Sequence, residues 1–383
     1  MADEQAQESK ITVDGVDIYR VTTPDIEMRA QLERRLRIAK NASDRLQLLL
    51  LRARATLRRL LGSVTIDNRL VDAYVNQLQQ IPNVEVIVPL VFPFESVIAA
   101  LKYAHPLNIR VVPYLFDNFV ESRSLHVLSA ARLLKRRRHL HLEEKMIRGA
   151  EVVLSMHPLE PHFRRNFDEL SNRKIKYLEH PLLTRKETLQ APSVSPIRLV
   201  YTGAFVQDVR EPDYVLALLG AIEIKEATVA DFYVMGNAAS RVQTKLTKFG
   251  LQIHNHGQVS KQIADAAVET ANVLLNVGEM EGRQISSKIF EYMAVGRPII
   301  HFAYKEDDNV IKILNRYPLA LCLVQNDHEM DDNRKRVQQF VCDNSTKSIS
   351  FDEVAEIFPE ALPRTTANVF AEIIESCHSP AAR

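Results

Sequence analysis

One short segment late in the chain combines side chains suited to holding an anion and a sugar. Residues 286–300 read SSKIFEYMAVGRPII. Ser286 or Ser287 is a suitable N-cap, and a helix start offers unpaired N–H groups and the positive end of a dipole, which suit phosphate. Lys288 adds a formal charge. Glu291 lies on the same helix face, where its carboxylate can accept hydrogen bonds from two vicinal sugar hydroxyls. An ordinary capped helix with a Lys–Glu pair would show the same residues.

The glycines are unevenly placed. The chain has 11 in 383 residues, and eight of them fall between residues 203 and 296. Four directly follow a predicted strand: Gly203, Gly236, Gly257 and Gly278. In an open α/β sheet, ligands bind beyond the carboxyl ends of the strands, where glycine lets the backbone approach a ligand. Strand-to-helix turns need glycine in any case, but four in one domain favour a nucleotide or diphosphate site.

Alternating helices and short apolar strands must position these residues, and this order implies parallel sheets. We predict two doubly wound α/β domains with a ligand cleft between them. The first covers residues 1–185, a linker covers 186–196, the second covers 197–360, and a C-terminal helix covers 361–383. Among the individual elements, we predict one long helix from Glu27 to Leu61, a strand Ile109–Phe116 and a helix Arg241–Phe249.

Further segments make the pattern specific. Residues 201–205 read YTGAF, 232–237 read FYVMGN and 256–260 read HGQVS. Together with SSKIFEYMAVGRPII they resemble the donor domain of group 1 (family 4-like) glycosyltransferases of the GT-B fold. The resemblance is good over residues 196–302 and fair over 84–185. It implies a GT-B enzyme that moves a sugar from a nucleoside-diphosphate sugar, UDP-sugar foremost, to a glycan or lipid-linked acceptor in surface polysaccharide or glycoconjugate synthesis.

The resemblance also implies roles for single residues. Glu291 would bind the ribose hydroxyls, and Arg210 would stabilise the departing diphosphate. The other residues that would bind the donor are Gly203, Gly236, Asn237, Gln258, Val259, Ser286, Ser287 and Lys288. The candidate catalytic residues are Arg210, Lys288 and Asp117. Family members typically retain anomeric configuration and need no metal, so we expect no cofactor other than the donor substrate; the chain has no Asp-x-Asp run.

Three departures from the family pattern leave a second interpretation open. Arg283 stands eight positions before Glu291, where many members have a second glutamate. Phe116 precedes Asp117, where many have histidine. We also find no initial strand with a glycine-rich loop, so we expect the first domain to lack that piece. A non-catalytic GT-B protein that partners or regulates an active transferase is therefore the alternative, ahead of an epimerase-like hydrolase.

Charge is balanced overall at +1 but divided along the chain. Residues 1–195 carry 30 basic and 23 acidic side chains, and residues 196–383 carry 19 and 25. The segment Arg29–Arg59 holds ten basic residues against two acidic ones. It is either a solvated helix face or a contact with an anionic membrane surface. The acidic, polar N-terminus lacks signal-peptide features.

The missing signal-peptide features bear on cellular location, and the near-zero net charge bears on partners. We expect a cytoplasmic protein, peripheral at the inner face of the membrane if the basic segment binds lipid. We expect no nucleic-acid binding, and an oligomer or partner subunit stays open.

Four histidines lack metal-ligand spacing, and we predict surface or capping roles for them: His126, His157, His162 and His180.

Overall fold

The computed structural model describes residues 10–38, 41–62, 65–121, 129–186, 190–224, 226–282 and 285–375. The chain divides into two compact units, Met1–Leu178 and Glu179–Arg383. This division lies a few residues before the boundary we predicted at residue 185. Within the described ranges, no helix is both long and apolar enough to cross a bilayer.

The first unit opens with an antiparallel hairpin and three helices. Its elements are β1 (Lys10–Val13), β2 (Val16–Tyr19), α1 (Pro24–Ile38), α2 (Ala42–Leu61) and α3 (Asn68–Leu78). The single helix predicted from Glu27 to Leu61 is therefore wrong. A new N-terminus forms at Asn41, whose side-chain oxygen accepts a hydrogen bond from the Ser43 N–H at 3.1 Å. Such a cap satisfies a donor that the start of α2 would otherwise leave unpaired.

Short parallel strands and helices complete the first unit. They are β3 (Val86–Ile87), α4 (Glu95–Ala104), β4 (Arg110–Val111), β5 (Tyr114–Leu115), α5 (Ser129–Gly149), β6 (Val153–Met156), α6 (Glu160–Lys174) and β7 (Ile175–Leu178). β3 pairs with β4, and β5, β6 and β7 form a second sheet. The strand predicted over Ile109–Phe116 is thus two strands. Pro113 lies between them and has no N–H to donate to a ladder.

A buried carboxylate–imidazole pair lies in the first unit. Glu143 on α5 and His162 on α6 are almost wholly buried, and Glu143 Oε2 lies 2.7 Å from His162 Nε2. The surface or capping role predicted for His162 is therefore wrong, because its ring is part of the interior. Burial raises the pKa of Glu143, although the hydrogen bond with His162 acts against that rise. His126 lies outside the described residues.

The second unit alternates strands and helices. In chain order these are β8 (Ile197–Ala204), α7 (Asp213–Ala221), β9 (Thr228–Met235), β10 (Lys245–Leu246), β11 (Gln252–Asn255), α8 (Lys261–Thr270), β12 (Val273–Val277), α9 (Lys288–Val295), β13 (Ile299–Ala303), α10 (Asn309–Leu314), β14 (Ala320–Val324), α11 (Met330–Asn344), α12 (Phe351–Ile357) and α13 (Pro363–Glu375). They build one seven-stranded sheet in the order β10-β11-β9-β8-β12-β13-β14. All neighbours are parallel except β10 and β11.

This sheet is covered on both faces. Leu199 and Tyr201 of β8 contribute to one buried cluster, and Val200 contributes to the other, because successive side chains of a strand point to opposite faces. Without the antiparallel edge strand, the order is that of a dinucleotide-binding domain, in which the first strand lies between the second and the fourth. The topological switch point therefore lies between β8 and β12.

One predicted helix of the second unit is wrong. Residues 241–249 contain β10 and not the helix we expected, with a short 3-10 turn at Ala239–Arg241 before it. β10 pairs with β11 through a turn that ends at Gly250, whose φ is +87°. A left-handed backbone favours glycine and reverses the chain, so residues 245–255 form a hairpin at the edge of the sheet.

The segment leading into β8 is bound to the second unit. Leu183 is wholly buried in one of its two cores. The Asn272 side chain donates to the Ser193 carbonyl at 2.9 Å, and the Arg297 guanidinium donates to the Gln190 carbonyl at 2.9 Å. Much of the stretch predicted as a linker is therefore held by hydrogen bonds.

Candidate donor-binding site

The carboxyl ends of β8 and β12 carry the loops that define the candidate site. The β8 loop closes on itself, with mutual backbone hydrogen bonds between Val206 and Arg210 at 2.8 and 2.9 Å. It then crosses to the β12 loop, where the Met280 N–H donates to the Val209 carbonyl at 2.9 Å. Arg210 Nε donates to the Gly278 carbonyl at 3.3 Å. The structure thus places a half-buried guanidinium directly at the switch point, where open α/β sheets bind ligands.

The Arg210 charge acts on three tyrosines of the second unit. Burial raises the pKa of Tyr201, raises that of Tyr292 to about 12, and raises that of Tyr304, while the Arg210 cation acts against each rise. The three phenols therefore stay protonated at neutral pH. None of these tyrosines had a predicted role, although Tyr201 and Tyr292 lie inside two of the segments that carry the resemblance.

The helix α9 begins close to where we expected. The carbonyls of Ser286 and Ser287 accept the first-turn hydrogen bonds from Ile289 and Phe290. Ser287 is the N-cap residue, one of the two predicted, but its side chain makes no capping hydrogen bond. The backbone N–H groups of Ser287 and Lys288 lie in the first turn, where a helix has no internal acceptors for them.

Lys288 and Glu291 lie on one face of α9, as predicted. Lys288 Nζ is 2.7 Å from Glu291 Oε2, with side chains 29% and 31% exposed. Lys261, at the start of α8, is also near this carboxylate: its pKa is raised, chiefly by its hydrogen bond with Asp265 and partly by Glu291. The oxygens of the Glu291 carboxylate can also accept hydrogen bonds from hydroxyl groups.

The residue after Glu291 fixes α9 to the sheet. Tyr292 is buried, and its hydroxyl oxygen accepts from the Thr202 N–H at 3.1 Å and lies 3.0 Å from Thr202 Oγ1. This contact joins α9 to the end of β8, directly before Gly203. Tyr292 is thus a positioning residue that sequence spacing did not single out, because an aromatic residue at this helical position also suits a core.

Gly203 is the next-to-last residue of β8, paired with Val234 of β9, so it lies within the strand that we predicted it to follow. A Cβ built at Gly203 would lie 3.0 Å from the Tyr201 hydroxyl oxygen. A side chain here would therefore press on one of the phenols beside Arg210.

The loop after β9 holds Gly236 and Asn237, both exposed. Gly236 has φ +101°, and a Cβ there would lie 2.1 Å from the Phe205 carbonyl oxygen. Asn237 Oδ1 accepts a hydrogen bond from the Gln207 N–H at 2.9 Å. Both residues therefore connect the β9 loop to the β8 loop, and their own packing already accounts for a glycine and an asparagine at these positions.

The remaining predicted residues lie in two places. Gln258 is exposed and Val259 half-buried, in the loop between β11 and the α8 N-cap Ser260. Asp117 is an exposed residue of the first unit, two positions after β5. Arg283 lies outside the described residues. The structure therefore brings Gly203, Arg210 and the start of α9 to one edge of the second unit, together with the loops after β9 and β11.

Comparisons with known proteins define the fold. No protein-family profile matches the chain, and no curated protein sequence matches it. The chain is similar in structure to HepE (Alr3699) of Anabaena in complex with UDP-glucose, with a TM-score of 0.54, 12% identity and coverage of 80% of this chain and 82% of that one. It is also similar to the apo form of the lipopolysaccharide outer core galactosyltransferase WaaB, with a TM-score of 0.51, 11% identity and coverage of 82% and 83%.

These likenesses confirm the predicted fold class. The chain has a GT-B fold, an α/β architecture with Rossmann-like sheets. The doubly wound strand order of the second unit agrees with this assignment.

Proposed function

We propose that this protein is a glycosyltransferase that binds a nucleoside-diphosphate sugar, UDP-sugar foremost, at the carboxyl edge of the seven-stranded sheet. The observation that carries the proposal is the contact of Arg210 with the Gly278 carbonyl across the switch point. It puts a permanent cation where a diphosphate would lie. A structural relative solved with UDP-glucose supports the same class of ligand.

Each predicted site residue has a separate role in this proposal. Glu291 accepts hydrogen bonds from the ribose hydroxyls, and the first-turn N–H groups of Ser287 and Lys288 bind the diphosphate. Arg210 and Lys288 stabilise the charge that develops on the leaving diphosphate, so that transfer with retained configuration needs no metal. Gln258 and Val259 contact the base. Asp117 is the candidate catalytic residue of the first unit.

The proposed acceptor is a glycan or a lipid-linked sugar of surface polysaccharide or glycoconjugate synthesis, handled by a cytoplasmic protein peripheral to the membrane. Support for the membrane comes from α2, on which Leu46, Leu49, Leu50 and Leu57 are each more than half exposed. They recur at helical spacing, so they form one outward apolar stripe. Flotation with anionic and neutral vesicles tests the electrostatic part of this proposal. Binding that needs anionic lipid supports a contact of Arg29–Arg59 with an anionic surface, and equal binding to both lipids, or none, contradicts that contact.

Titration calorimetry with a panel of nucleoside diphosphates and their sugars tests the donor site. We expect UDP or a UDP-sugar to bind, and Glu291→Ala to weaken binding about tenfold or more, because two hydrogen bonds to a charged carboxylate are lost. The matched control is Glu372→Ala, which removes an exposed glutamate from α13. Equal losses in both variants would contradict the role of Glu291.

The second candidate function is that of a non-catalytic GT-B protein that partners or regulates an active transferase. The 2.7 Å pair between Lys288 and Glu291 favours it, because each group already has a partner within the chain. The same titration separates the two functions. No binding across the panel favours the partner role, and binding followed by slow hydrolysis or transfer of the sugar favours the enzyme.

A further inference from the structure

Three potential metal ligands meet on two neighbouring strands of the second unit. Asp231 on β9 is paired in register with His254 on β11. His256 follows two residues later, so its side chain leaves the chain on the same side as that of His254. Asp231 Oδ1 lies 3.3 Å from His254 Nδ1 and 2.8 Å from His256 Nε2. The three ligand atoms all lie within 4.8 Å of one another.

The surroundings fix the carboxylate and one ring. Asp231 is 2% exposed, and its other oxygen accepts hydrogen bonds from Arg198 Nε at 2.9 Å and from Arg198 Nη2 at 2.7 Å. The His256 ring stacks on Tyr233, with centroids 4.4 Å apart and planes 8° apart. The imidazoles themselves are more than a third exposed. An ion can therefore reach the site from solvent without unfolding the strands.

We propose that Asp231, His254 and His256 form a binding site for a divalent transition metal, with Zn²⁺ the best match. Imidazole nitrogen and carboxylate oxygen are established zinc ligands at about 2.0–2.2 Å, and tetrahedral ligands at that distance are about 3.3 Å apart. The separations from Asp231 Oδ1 lie at or within half an ångström of this value. Three protein ligands leave a fourth position for water on the exposed side.

Arg198 fits the role of an outer partner. Ligating carboxylates are commonly held by hydrogen bonds that orient them, and the Arg198 guanidinium holds the Asp231 oxygen that faces away from both histidines. The ion would replace the two histidine contacts with Asp231 Oδ1 by bonds of its own. It would link β9 to β11 directly before the loop that contains Gln258 and Val259.

This site stands apart from the proposed transfer chemistry. The residues proposed to stabilise the diphosphate, Arg210 and Lys288, are not among its ligands. The histidine pair is visible in the sequence as His254-Asn255-His256, a spacing that puts two rings on one side of a strand. The sequence alone does not indicate the site, because Asp231 joins the pair only through the pairing of β9 with β11.

Zinc titration of the tag-free, chelator-treated full chain tests the proposal, in the absence of nucleotide. We expect one Zn²⁺ to bind per chain. His254→Ala and His256→Ala should each weaken binding at least tenfold, since each removes a direct ligand, and changes even in the outer partners of a site cost 10–100-fold. Absorption by Co²⁺ used in place of Zn²⁺ reports whether the ion has four ligands. The matched control is His328→Ala, which removes an exposed histidine from elsewhere in the same unit.

Two results would overturn the proposal: no zinc binding by the unaltered chain, or affinities that stay the same in both histidine variants. The substituted histidines are partly exposed, so the variants leave the Asp231–Arg198 ion pair and the core in place. Since no nucleotide is present, a failed zinc titration says nothing about the donor site. A failed nucleotide titration likewise says nothing about zinc.

Discussion

The two units each bury a carboxylate, and the two carboxylates are held in opposite ways. Glu143 in the first unit has His162 as its close partner, and burial raises its pKa. Asp231 in the second unit is also buried, which alone would raise its pKa, but hydrogen bonds from His256 and Arg198 lower it overall. The charge and number of the partners, and not depth alone, decide which form of a buried acid the fold favours.

Two glycines with a left-handed backbone, one in each unit, differ in how closely other atoms surround them. Gly15, in the hairpin of the first unit, has φ +79° and nothing within 4 Å of a built Cβ. Gly296, at the end of α9, has φ +75°, and its Cβ would lie 2.0 Å from the Ile349 carbonyl oxygen. The same left-handed backbone is thus open at Gly15 and enclosed at Gly296.

Substitution of these two glycines by alanine should have the largest effect, and it tests the difference in their packing. Gly296→Ala should lower the free energy of unfolding of the second unit by about 4 kcal/mol or more, because backbone strain and a backbone clash act together. Gly15→Ala should cost about 1 kcal/mol, since only the left-handed strain remains. Urea unfolding of both variants measures the two losses. Similar costs at the two glycines would contradict the comparison.

The next effect concerns the buried pair of the first unit. His162→Ala should cost about 3 kcal/mol, because it leaves Glu143 in the interior without its close partner. Urea unfolding at neutral pH gives the value. His105→Ala, at an exposed position of the same unit, is the control and should cost less than about 0.5 kcal/mol. A cost for His162→Ala as small as that of the control would mean that the pair does not hold the unit together.

A smaller effect is expected at the link between α9 and β8. Tyr292→Phe removes the hydroxyl that bonds Thr202 and should cost about 1 kcal/mol. It should also weaken binding of a nucleoside diphosphate, because Glu291 is the preceding residue. Tyr103→Phe in the first unit is the control. Unfolding and calorimetry together check both parts, and unchanged binding would limit Tyr292 to a structural role.

The smallest expected effect is a dependence of the free energy of unfolding on pH, which tests the direction of the pKa shift at Glu143. Glu143 has a folded-state pKa above its ordinary 4.5, so the unfolded chain releases this proton first as pH rises. The folded state therefore loses stability, relative to Glu143→Gln, from about pH 4.5 upward through the raised pKa. Unfolding of both proteins across this range gives the difference curve. A gain in relative stability with rising pH would show that the pKa is lowered instead.

Patterns of hydrophobic residues and glycines were sufficient to predict doubly wound α/β domains and a ligand site at the carboxyl ends of the strands. The resemblance to a known family supplied the GT-B fold and the position of Arg210. Some individual helices and strands were predicted wrongly, because single residues decide where they begin and end. Pro113 divides a strand, Asn41 starts a new helix, and Gly250 turns a predicted helix into a hairpin.

The side-chain partners were harder to predict. Neither the burial of His162 against Glu143 nor the bond of Tyr292 to Thr202 follows from spacing, since each joins residues far apart in the chain. The same holds for Asp231 and the two histidines of β11. These contacts arise from strand order and helix packing, which a single sequence does not specify residue by residue.

The segment leading into β8, which is hydrogen-bonded to the second unit, determines where a fragment of that unit should begin. A recombinant fragment that starts at residue 197 would remove Leu183 from the core and the carbonyls that pair with Asn272 and Arg297. It would expose an apolar pocket, and apolar surface of this kind favours aggregation. It would also take one acceptor each from the Asn272 amide and the Arg297 guanidinium, which keep the carbonyls of Ser345 and Glu269. A fragment that starts at Glu179 keeps all three contacts, so it is the better fragment for studying the candidate donor site.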